Sequence, residues 1–142
     1  MTKQKAFTLA ELLVVISIIG ILSGMIIVSL TNSRQKARDT RRKLDLNEIS
    51  LSLENYYDDQ SPNGYVVSAT EIDVTGTSDA LTAALVSNYI HKMPTDPLST
   101  RYYHYQSSNN ALDFRLEAIL ENTSDPQGVA DGEDWIYVVD ND

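Results

Sequence analysis

The sequence predicts an α+β fold: a long N-terminal spine helix packed on a small antiparallel sheet, with a second helix. Three observations carry that expectation. The first proline is Pro62, and the only glycines before it are Gly20 and Gly24, so nothing need break a helix from about residue 8 to about residue 57. Residues 112–118 alternate Leu, Phe, Leu and Ala with Asp, Arg and Glu, the period-2 pattern of a sheet with one wet face. Ser78 or Asp79 can cap a helix that points Leu81, Leu85, Tyr89 and Ile90 at a core.

Taken in order, the spine has two characters. Residues 12–30 carry no charge and no proline, and at about 1.5 Å per residue they are long enough to cross roughly 30 Å of hydrocarbon. Glu11 stands at the threshold of this run, where an acid is costly and asks for a partner. Further on, Leu46, Ile49, Leu53, Tyr56 and Tyr57 lie at helical spacing with Asp45, Asn47, Glu48, Ser52 and Glu54 mostly between them. The helix therefore begins apolar all round and ends amphipathic, about 75 Å along if continuous.

The turn signal DDQSPNG closes it at residues 58–64. Residues 65–74 can hold a short strand. The second helix runs to about Ile90 and is ended by MPTDP at residues 93–97, whose two prolines cannot continue it. RYYHYQ (residues 101–106) reads as a strand, SSNN as a turn, residues 122–134 as a long acidic loop and WIYVV (residues 135–139) as the last strand.

Charge divides the chain sharply. Residues 1–43 hold eight basic and two acidic side chains, for +6, while residues 44–142 hold three basic and 18 acidic ones, for −15. The distal part therefore lacks the basic face that tracks nucleic-acid phosphates. Its acidity serves solubility, or it complements the basic collar Arg34, Lys36, Arg38, Arg41, Arg42 and Lys43 of a neighbouring copy. Cysteine is absent, His91 and His104 lack the spacing of a metal pair, and no phosphate loop, nucleophile elbow or HExxH is present. Nothing in the chain supports an enzyme.

Lys5-Ala6-Phe7-Thr8-Leu9-Ala10-Glu11-Leu12 followed by VVISIIGIL resembles the class III signal peptide of type IV pilins and type II secretion pseudopilins. Their pattern is a small residue, Phe, Thr, Leu, any residue, Glu, then an apolar helix. Met93-Pro94-Thr95-Asp96-Pro97 with Tyr103 and Tyr105 further resembles the Pro-Asp-Pro turn and Tyr-x-Tyr strand of the major pseudopilin. Three departures stand out: Ala6 where the family usually has Gly, Val28 where pilin anchors often have Pro, and no cysteine pair.

The resemblance implies a pilin-like fold in four parts: a leader at 1–6, a transmembrane and filament-core helix at 7–30, a basic collar and amphipathic half-helix at 31–57, and an acidic head at 58–142. A prepilin peptidase/methyltransferase would cut between Ala6 and Phe7 and methylate the new amine of Phe7. The subunit would sit in the inner membrane, N-terminus inside and head outside the cytoplasm. An assembly platform would then move it into a periplasmic or extracellular homo-polymer that also contains minor pilins or pseudopilins. Glu11 would neutralise the Phe7 ammonium of the next subunit and set axial register, or it would fold back on its own terminus, since i and i+4 share a helix face. The rival reading is a single-pass membrane-anchored binding domain that never polymerises.

Three further sites complete the expectations. Gly20-x-x-x-Gly24 is the spacing that lets membrane helices approach closely. Lys3 and Lys5 favour an N-inside orientation, whereas the collar at residues 34–43 counts the other way; it could meet lipid phosphates, or form a solvated helix face. Asp125, Asp131, Glu133 and Asp134 crowd one loop. Such a cluster can bind calcium, which the resemblance implies for the C-terminal region, or form a solvated acidic loop.

Overall fold

A computed structural model of the chain describes residues 7–108 and 110–141. Lys3, Lys5 and Ala6, on which the leader expectation rests, lie outside the described residues. The chain divides into two compact units, Met1–Gln35 and Lys36–Asp142. Helix α1, Leu9–Asp59, contributes residues to both and runs unbroken for 51 residues, as the absence of early proline predicts.

In the second unit, α1 buries one stripe. Leu46, Ile49 and Leu53 have no solvent exposure, and Tyr56 and Tyr57 pack at the margin. After the helix come β1 (Ile72–Val74), α2 (Ala80–Leu85), β2 (Tyr103–Ser107), β3 (Phe114–Ile119), β4 (Val129–Asp131) and β5 (Asp134–Asp140). The five strands form one antiparallel sheet in the order β1-β2-β3-β5-β4.

Alternation decides which sheet face meets the helix. Tyr103, Tyr105, Leu116 and Ala118 point inward and are fully buried, while Tyr105 stands opposite Leu116, and Leu116 opposite Val139. A buried tyrosine must satisfy its hydroxyl. Tyr103 donates to Asp45 Oδ2 (2.8 Å) and Tyr105 to the Val66 carbonyl (2.6 Å).

Two expectations are corrected. The second helix was to reach Ile90, yet α2 stops at Leu85. Val86 is extended, Ser87 takes a φ of 84°, and Val86 bridges back to Ile90. That change of direction lets Ile90 and Met93 join Leu81 and Leu85 in one core, which a straight helix running into Pro94 could not do. Its start agrees with expectation: Asp79 is the N-cap, accepting from the Thr82 amide at 2.7 Å. The loop expected at 122–134 also contains β4, which pairs with β5 in a hairpin (Asp131 opposite Asp134). All three β4 residues are exposed, so no hydrophobic alternation announced the strand.

Candidate functional site

Among the described residues of the first unit, the large apolar side chains face outward. Phe7 is 82% exposed, and Leu9, Leu12, Val14, Ile16, Ile19 and Leu22 are all exposed on α1. This is the one helix among the described residues long and apolar enough to cross a membrane. A soluble chain would cover such a surface, because each side chain of this size gains about 1.5–3 kcal/mol on burial. Gly20 and Gly24 lie in this segment, and a Cβ at either would meet nothing within 4 Å. No neighbour among the described residues therefore requires a glycine there.

At the start of α1, Glu11 has an intramolecular role. Its Oε2 accepts from the Thr8 amide and the Thr8 hydroxyl, both at 2.8 Å, and Thr8 Oγ1 accepts from the Glu11 amide at 3.2 Å. This is a capping box: a threonine N-cap and a glutamate three residues on satisfy each other's orphan donors. In the uncut chain the nitrogen of Phe7 is a peptide amide, and the carboxylate makes its contacts with Thr8. Both accepted bonds fall on one oxygen of the carboxylate.

The second unit holds the other conspicuous chemistry. Arg42 has no exposure at all. Its Nε and Nη2 grip Asp96 in a fork (2.7 and 3.0 Å), while Nη1 donates to Asp39 Oδ1 (2.7 Å) and Glu121 Oε1 (2.8 Å). Arg38 forks onto Glu121 (2.7 and 2.6 Å). Asp39 accepts from the amides of Glu121 and Asn122, each at 2.9 Å, and Asp96 Oδ1 accepts from the Leu98 amide at 2.7 Å. The network ties α1 to the MPTDP loop and to the chain leaving β3.

Its electrostatics follow from these contacts. Burial opposes the charge on Arg42, but its hydrogen bonds with Asp96, Glu121 and Asp39 outweigh burial and raise its pKa. Hydrogen bonds from Arg38, with help from Arg42, hold Glu121 down at about 2. Burial pushes Asp45 up, against the Tyr103 hydroxyl and the Arg41 guanidinium, whose Nε lies 2.7 Å from Asp45 Oδ1.

The collar is divided: Arg34, Lys36 and Arg41 lie on an exposed face, while Arg38, Arg42 and Lys43 turn into the head. Arg38, Arg41, Arg42 and Lys43 pair with acids of the same chain, and only Arg34 and Lys36 of the six stand exposed without a charged partner among the described residues. Within the chain, Asp96, Glu121 and Asp125 of the acidic head meet the basic collar. A signal for this was present: stepping the buried stripe Leu53, Ile49, Leu46 back by threes and fours lands on Arg42, Asp39 and Arg38.

Against known proteins, residues 1–27 match the family model described as the prokaryotic N-terminal methylation motif. The chain is 30% identical over 106 residues to the type II secretion system core protein G of Escherichia coli (strain K12), covering 70% of each chain. The chain belongs to this pseudopilin family. The Vibrio cholerae core protein G is 30% identical over 105 residues (73% of this chain, 72% of the relative), and that of Klebsiella pneumoniae 29% over 104 (72% and 74%). No solved structure gives a significant match.

The calcium expectation meets a donor set that does not fit. Asp125 sits half-buried against α1, with both carboxylate oxygens 2.7 Å from Lys43 Nζ. Asp131, Glu133 and Asp134 stand exposed at the tip of the β4–β5 hairpin. Among the described residues, no three His, Asp or Glu side chains gather closely enough to hold a metal.

Proposed function

We propose that the chain is a structural subunit of a type II secretion pseudopilus, made as a membrane-anchored precursor and polymerised through α1. In this reading residues 1–6 are a leader removed by a prepilin peptidase, and the same enzyme methylates Phe7. Residues 7–30 anchor the subunit in the inner membrane and later form the filament core, residues 31–57 carry the collar, and residues 58–142 form the head outside the cytoplasm. The partners are further copies, minor pseudopilins and an inner-membrane assembly platform. The observation that carries the reading is an exposed apolar helix with one acid at its threshold, on a chain whose head is already closed on itself.

Glu11 is the register contact in this scheme. An α-ammonium has an ordinary pKa near 8 and methylation keeps its charge, so Phe7 of a neighbouring copy would attract the carboxylate. At an effective dielectric of about 20 the pair gains roughly 4 kcal/mol at 4 Å before desolvation is subtracted. The Thr8 cap uses one oxygen and leaves the other for that amine. Gly20 and Gly24 supply close approach between helices. The assembly face extends past the apolar run, because Leu44 and Leu51 stand 61% and 66% exposed on α1, seven residues apart on the side away from the buried stripe.

Intact mass of the mature chain tests the scheme directly. Loss of Met1–Ala6 with one methyl group on Phe7 is the expected result, and an uncut Met1 rejects it.

A further inference from the structure

One side chain of the collar has an environment that pairing alone does not explain. Lys43 is 16% exposed, low for the side chain that most readily reaches solvent. Its ammonium has three protons to donate, and three oxygens receive them: Asp125 Oδ1 and Oδ2 at 2.7 Å and Gln127 Oε1 at 2.9 Å. The Tyr137 ring lies 5.5 Å from Nζ, within reach of a cation–π contact. Oxygens converging on one positive centre over an aromatic face make a cation site, and here the cation arrives on α1.

The loop is built around that centre. Asp125 Oδ1 also accepts from the Gln127 amide at 2.9 Å, the Asp125 carbonyl accepts from Trp135 Nε1 at 3.1 Å and from the Gly128 amide at 3.1 Å, and the Asp125 amide donates to the Asn122 carbonyl at 3.1 Å. Gly128 passes beneath Trp135 so closely that a Cβ would lie 2.1 Å from Nε1. Hydrogen bonds from Lys43 hold the Asp125 carboxyl below its ordinary range.

We infer that Lys43 is the resident cation of the C-terminal loop, and that this head orders residues 121–128 without the calcium ion its family implies. A calcium ion needs six to eight oxygens at about 2.3–2.6 Å. The three oxygens here already face an ammonium, and a divalent ion beside it would be repelled. Because the cation is covalently part of the spine, loop order is independent of the divalent-ion level around the head. This inference goes beyond the assembly reading and does not depend on it, since an uncut or unassembled chain would show the same property.

The test uses the full-length chain in detergent micelles. Thermal unfolding in millimolar calcium and in excess EDTA is expected to give the same midpoint, with no heat of calcium binding in titration calorimetry. A midpoint that rises with calcium and falls with EDTA overturns the inference. Lys43→Met, which keeps the stem and removes the charge, is expected to speed amide exchange at Asp125, Gln127 and Gly128 by roughly tenfold, with exchange in β2 and β3 unchanged. Unchanged exchange in the loop overturns it as well. Should Lys43→Met fail to fold, Asp125→Asn read by the same exchange replaces it, and the calcium comparison on the unmodified chain stands by itself.

Discussion

The two units of this chain treat water in opposite ways. Among the described residues, the first unit turns leucines, isoleucines and a phenylalanine outward, whereas the second unit buries even a guanidinium and pairs it through four hydrogen bonds with three carboxylates. One unit is unfinished and the other complete. The difference separates where the molecule keeps its stability from where it keeps its capacity to associate. Changes in the seam should therefore cost folding, and changes on the outer helix should cost assembly.

The largest break is expected at Arg42. Arg42→Ala leaves Asp39 and Asp96 without their cation and Glu121 with Arg38 alone, and breaking a buried pair in this way costs about 3–5 kcal/mol. Urea unfolding of the variant measures it. A loss below about 1 kcal/mol would mean that the seam is not what holds the head together.

Next in size is Gly128→Ala, whose Cβ would have to displace Trp135. Overpacking of this kind costs about 1–3 kcal/mol, and the Trp135 fluorescence maximum should shift with it.

Acid probes the same seam without mutation. Glu121 is held at about 2, against an ordinary 4.5. A depressed carboxylate stabilises the fold fully above its unfolded pKa and loses that contribution as pH falls towards its folded pKa. Stability should therefore fall between pH about 4.5 and about 2, and Glu121→Gln should flatten that limb. An unchanged acid limb in the variant would assign the acid sensitivity elsewhere.

The smallest effects on folding, and the largest on assembly, belong to the outer helix. Glu11→Gln keeps an oxygen for the Thr8 cap and removes the charge, so the monomer should be unchanged while filament yield collapses. Glu11→Ala should additionally lose about 1 kcal/mol of helix capping. Wild-type filament yield in Glu11→Gln would end the register idea. Leu44→Ser with Leu51→Ser should move the melting midpoint by no more than surface changes do, about 0.5 kcal/mol each, while reducing polymer in a pelleting assay.

Much of this was legible because periodicity reports burial wherever burial is apolar. Leu46, Ile49 and Leu53, and Phe114, Leu116 and Ala118, were placed on the core by spacing, and all are buried, whereas Leu112 of the same alternation lies before β3 and is exposed. Asp79 showed as a cap because only a few side chains can take that role. The parts that could not be read are those in which polar groups replace apolar ones. Arg38, Asp39 and Arg42 continue the buried stripe but look like surface, since a charged side chain is buried only when its partners are, and Asp96 and Glu121 lie more than 50 residues away. The β4 strand was hidden for a related reason, since its residues are exposed and register with β5 alone defines it.

What the sequence determined by itself is the division of labour: an unbroken helix with one apolar end, a single acid at its threshold, and an alternating sheet for its other end. Those properties are local, set by side-chain spacing and by where proline is missing. Only the tertiary structure decided where the charges went. It folded the acidic head onto its own basic collar and gave the C-terminal loop a lysine for its cation, because pairing depends on distances that chain separation does not encode.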